Sequence, residues 1–161
     1  MRVVGGVMEH GSMKPMSTNR LLLMGAIHLG MMYFLMYAMV NTFSNVIPNL
    51  NNIYMAGLMT SPMLALEAIL MGQMYTNKRA VRIILAVSVA AGVIFFLLIR
   101  AQTAIGDREL VRSMIPHHAG AVLMCEQADL QDSEVVTLCQ TIIESQEAEI
   151  AQMKALLDRL D

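Results

Sequence analysis

Three long apolar stretches, each bounded by polar residues, precede a tail in which apolar positions recur every three or four residues. Leu21 to Val40 holds twenty residues with no charge and one ionisable group, His28. Ile53 to Tyr75 is a second stretch, interrupted by Pro62 and Glu67, and Val81 to Ile99 is a third, rich in Val, Ile and Phe. About 20 apolar residues cross the roughly 30 Å of a bilayer's hydrocarbon core, so the pattern predicts three membrane spans at 21–40, 53–75 and 81–99. The first stretch also reads as a signal-peptide core, with basic residues ahead of it and Ala38 near its end, but it is long for one and lacks a clear cleavage pattern.

The tail reads differently. From Asp107 to Ala128, Leu110, Met114, Ala121 and Val122 keep a helical period with His117 and His118 between them. Pro116 lies inside this pattern, which predicts a kink or a fresh helix start near His117. After the polar link Asp129 to Ser133, with Asp132 or Ser133 as a cap, Val135, Leu138, Ile142, Gln146, Glu149, Met153 and Leu156 mark one ridge of a second helix. The predicted fold is all-α: a methionine-rich tail (1–20), a three-span domain (21–99) and a helical hairpin (100–161).

Composition agrees with a lipid environment, since 56% of the chain is hydrophobic and 15% charged, against roughly half and about a quarter in soluble domains. Residues 1–99 carry six basic and two acidic side chains, and residues 101–161 carry four basic and eleven acidic ones. Lys78, Arg79 and Arg82 crowd the second link while Asn41 to Asn52 has no charge. Basic residues prefer the cytoplasmic side of short loops, which predicts a cytoplasmic N-terminus and a periplasmic or extracellular hairpin at a bacterial cell membrane. An acidic tail repels phosphate backbones and attracts cations, which excludes nucleic acid and suits a metal ion. No nucleophile elbow, phosphate-binding glycine loop or catalytic triad occurs, so an enzyme is not expected.

A short link makes the two tail helices antiparallel, which sets Met114 level with Glu149, the two histidines level with Gln146, and Cys125 level with Cys139. The cysteines then face each other near the turn, within reach of a disulfide in an oxidising compartment. Reduced core thiols and thiolate ligands are the competing readings. Two helices alone bury little core, so the hairpin is expected to pair with a copy of itself into a four-helix bundle.

The segment Met114-Ile115-Pro116-His117-His118-Ala119-Gly120-Ala121, followed by Ile142-Ile143-Glu144-Ser145-Gln146-Glu147-Ala148-Glu149-Ile150-Ala151-Gln152-Met153, resembles the bacterial domain-of-unknown-function family 305. The apolar helices ahead of it are similar to the family's membrane-bound branch. The resemblance implies a ferritin-like helical fold and, for some members, periplasmic copper binding through Met and His. On matching positions it points to Met114, His117, His118, Gln146, Glu149 and Met153. Met124, seven residues after His117, joins this candidate set. No Glu-x-x-His occurs, so a di-iron centre is disfavoured, whereas thioether and imidazole suit Cu(I) ahead of Cu(II).

Seventeen methionines give further soft donors. Met8, Met13 and Met16 flank His10 in the N-terminal tail, and fourfold steps align Met24, His28, Met32 and Met36 in the first span and Met55, Met59, Met63, Glu67 and Met71 in the second. The N-terminal run is spaced as a flexible Cu(I)-binding tail would be, whereas interhelical packing explains the span methionines without metal. His28 and Glu67 are ionisable at membrane depth and are expected to meet there, forming a candidate intramembrane site with Met24, Met32, Met63 and Met71. The expected function is a membrane-anchored copper-binding protein of metal homeostasis. The alternatives are a copper transporter with Met-, His- and Glu-lined spans, and a structural or assembly protein without metal.

Overall fold

The structure is a computed structural model that describes residues 17–160; the methionine tail around His10 lies outside the described residues. The chain is all-α, with α1 (Thr18–Leu35), α2 (Leu50–Leu70), α3 (Lys78–Ala101), α4 (Asp107–Gln127) and α5 (Ser133–Leu160), and no strand occurs among the described residues. Each of the first three helices begins three residues before its apolar stretch. Polar caps set these starts: the Ser17, Asn49 and Asn77 side chains accept the amides of Asn19, Asn52 and Ala80.

Two of these helices, α2 and α3, are long and apolar enough to cross a membrane, which corrects the expectation of three spans. The first helix stops at Leu35, so only fifteen of its residues follow Arg20, about 22 Å of apolar helix. Its predicted last turn is drawn away: the Tyr37 hydroxyl donates to the Ile47 carbonyl at 3.0 Å, and Val40 packs into the core of the C-terminal hairpin. The second helix likewise ends at Leu70, and a 3-10 turn, Gly72–Met74, returns Tyr75 toward the bundle.

The apolar unit is built on small residues. Gly57 and Ser61 of α2 face Ser88 and Gly92 of α3: a Cβ on Gly92 would lie 3.3 Å from Ser61 Cβ, and one on Gly57 would lie 2.5 Å from the Phe95 ring. Such small-x-x-x-small pairs let helix backbones approach closely. The freed space is lined by hydroxyls that satisfy themselves, Thr60 and Ser61 each donating to the carbonyl four residues back at 2.8 Å. Large side chains such as Ile83, Val87, Ile94, Phe96 and Leu97 point outward, and 6% of the apolar window of α3 is buried.

α4 and α5 form the expected antiparallel hairpin, joined by a disulfide between Cys125 and Cys139 with Cα atoms 5.2 Å apart. Asp132 caps α5 by accepting the amides of Glu134 and Val135. Pro116 neither kinks α4 into two segments nor delays its start; the helix runs unbroken from Asp107 to Gln127. Ile115, Ala119 and Ile150 are buried, and Val40 and Ile47 of the 36–49 link close over them with Val111, Met153 and Leu157.

Candidate functional site

α4 lies across the ends of α1 and α2, held by polar contacts along its length. The first amide of α2, Leu50 N, donates to Glu109 Oε2 at 3.1 Å, where a carboxylate also opposes the positive end of the helix dipole. Arg112 holds the other Glu109 oxygen at 3.2 Å. One turn on, Asn51 donates to Ser113 Oγ at 3.1 Å and exchanges bonds with Gln102, the left-handed residue (φ 46°) that ends α3. Farther along, Gly120 passes the Met39 carbonyl at a distance a Cβ would reduce to 3.6 Å.

Between these contacts a cavity of about 400 Å³ opens at the seam. Its walls include Met36 from the end of α1, Met55 from α2, and Met114 and His117 from α4. Thus three thioethers and one imidazole border one space, contributed by both halves of the molecule. Three of its polar neighbours are already engaged: Asn51, Gln102 and Ser113 bond one another and nearby carbonyls. Ile99 and Pro116 complete the wall, and no carboxylate lines it.

The two histidines have different situations, as their 100° separation on a helix requires. His118 is buried; its Nδ1 donates to the Met114 carbonyl at 2.9 Å and its Nε2 meets Glu149 Oε2 at 2.7 Å. A carbonyl cannot donate, so Nδ1 carries a proton, and Nε2 is engaged by the Glu149 carboxylate. His118 therefore ties α4 to α5. His117 is exposed, forms no hydrogen bond to another described residue, and meets the His118 ring edge-on, with centroids 6.1 Å apart.

The expected hairpin ligand set does not converge. Glu149 reaches His118, one turn along α4 from Met114, while Cys125 and Cys139 meet as the assumed register set them. Met153 is packed in the hairpin core, Met124 is exposed near the disulfide, and Gln146 is half-buried without a hydrogen bond to another described residue. Among the described residues no group of three His, Cys, Asp or Glu side chains could hold a metal ion. Cys125 and Cys139, being bonded to each other, are not thiolate ligands.

The intramembrane pair also separates. His28 Nδ1 bonds Thr60 Oγ1 at 3.2 Å, while Glu67 accepts from the Tyr75 hydroxyl at 2.9 Å. The early end of α2 is the cause: depths counted back from Tyr75 as a helical residue placed Glu67 too far along, and Tyr75 itself returns to satisfy the carboxylate. Met24 and Met71 pack around the core of Leu21, Ala68, Tyr75 and Val81, and Met32 and Met63 are half-buried within their helices. Met36 and Met55 are the members that matter at the seam. Their signal was visible, since each is the member of its methionine ridge nearest the uncharged 41–52 link.

The geometry defines a class: an all-α chain in which an acidic, disulfide-closed hairpin rests on a bundle of apolar helices. Residues 97–157 match the model of the family described as "Domain of unknown function (DUF305)". The chain is also 29% identical over 120 residues to an uncharacterized protein of Acanthamoeba polyphaga mimivirus, covering 73% of this chain and 77% of that one. An alignment of that length runs beyond the family segment into the apolar helices, so the relative is similar across both halves. No solved structure matches the chain.

Proposed function

We propose that the chain is a membrane-anchored protein that binds copper, as Cu(I), on the hairpin side of the bilayer. The carrying observation is that Met114 and His117, one turn apart on α4, line the same cavity, with the imidazole exposed and uncommitted to any other described residue. A thioether and a neutral imidazole are donors of the softness Cu(I) prefers, and the acidic hairpin surface raises the local concentration of cations. When bound, copper would supply no catalytic step in this reading; the protein captures and holds it.

α2 and α3 cross the bilayer, and the outward-facing aliphatic side chains of α3 are the surface it solvates. Lys78, Arg79 and Arg82 mark the cytoplasmic side, so the hairpin lies outside, where a disulfide persists. Exposed Met124, Val135 and Leu138 at the disulfide end of the hairpin fit pairing with a second copy into a ferritin-like four-helix bundle. Titration of purified full-length protein with Cu(I) against a chromophoric chelator tests the function. Tight binding that is lost in the Met114→Leu/His117→Ala variant is the expected result; background copper in wild-type protein would refute the reading.

A further inference from the structure

We infer that the metal site is shared between the two halves of the molecule: Met36 and Met55 of the apolar helices join Met114 and His117 around one monovalent soft cation. This rests on the copper-binding reading and goes beyond it, because the hairpin by itself offers the cavity only one sulfur. The four side chains reach the cavity from three helix segments, α2, α4 and the end of α1, that fold packing alone brings together. Methionine's three rotatable bonds let its sulfur move onto an ion without moving backbone.

The rest of the wall decides which ion. The side chains of Asn51, Gln102 and Ser113 already bond one another, whereas His117 forms no hydrogen bond to another described residue. No carboxylate is present to balance a divalent charge. Zn(II), Fe(II) and Ca(II) favour anionic or oxygen-rich shells, whereas neutral sulfur and nitrogen donors suit Cu(I) and its analogue Ag(I). The ion would sit at the outer ends of the apolar helices and stitch the hairpin to them.

The experiment uses full-length protein in lipid nanodiscs, loaded with Cu(I). X-ray absorption of wild-type protein should show more than one sulfur neighbour together with a nitrogen neighbour; a single sulfur overturns the shared site. Ag(I) should displace the copper and Zn(II) should not; displacement by Zn(II) counts against a neutral soft site. The Met36→Leu/Met55→Leu variant keeps volume and apolarity and should lose sulfur neighbours and at least roughly tenfold in Cu(I) affinity, since even outer-shell changes cost about 10- to 100-fold. Met36→Leu and Met55→Leu read separately serve the same purpose if the double variant does not purify. Unchanged affinity and sulfur count in these variants, with binding still lost in Met114→Leu/His117→Ala, removes the shared site and leaves copper binding by the hairpin standing. Absence of copper from wild-type protein removes both.

Discussion

The two halves of this chain are packed by opposite rules. Between α2 and α3 the closest contacts are made by Gly57, Ser61, Ser88 and Gly92, a small core around Leu21, Tyr75 and Val81 closes one end, and most large aliphatic side chains of α3 point away from the bundle. In α4 and α5 the buried residues are Ile115, Ala119, Val122 and Ile150, and the outer surface is carboxylate-rich. In water, stability comes from removing large apolar side chains from solvent. In lipid that gain vanishes, and close backbone approach between small residues takes its place. The seam follows neither rule: it is fastened by Glu109, Asn51 and Gln102 and holds the thioether-lined cavity.

Truncating the hairpin core tests this contrast most strongly. Ile115→Ala removes a side chain with no exposed surface and should cost about 2–5 kcal/mol, read as loss of hairpin protection in hydrogen exchange while α2 and α3 stay protected. Loss of protection in both halves at once would mean that they fold as one unit. Replacing Cys125 and Cys139 by serine opens a loop of sequence separation 14 and should cost about 3 kcal/mol, again confined to the hairpin. Thermal melting followed by circular dichroism, with and without reductant on the parent protein, checks it.

On the other side, Gly57→Val drives a branched side chain into the Phe95 ring and should cost about 1–3 kcal/mol of packing between α2 and α3. Denaturation in mixed micelles reads this, and an enlarged aliphatic contact that stabilised the pair would contradict the small-residue rule. The smallest effect is expected at the seam. Glu109→Gln keeps the shape but removes the charge facing the first amide of α2, costing about 0.3–1 kcal/mol. Faster amide exchange at Leu50, with the hairpin core unchanged, would locate the loss at the joint.

Much of the architecture was open to reading in one dimension, because periodicity and apolar length are local properties. The all-α class, the hairpin, the facing cysteines and two membrane-length helices follow from spacing that any isolated segment carries. The helix starts at Ser17, Asn49 and Asn77 were also written locally, as caps, but are missed when boundaries are drawn from hydropathy alone. Where a helix stops against a neighbour is not local. Tyr37 bonds Ile47, and Tyr75 turns back to Glu67, and these contacts shortened α1 and α2 and separated His28 from Glu67. The division of labour between His117 and His118 depended on which face of α4 packs against α5, which only the tertiary contacts decide. The meeting of Met36 and Met55 with Met114 and His117 belongs wholly to tertiary structure. Residues that far apart in sequence become neighbours only when packing and the polar seam lay α4 across the ends of the apolar helices.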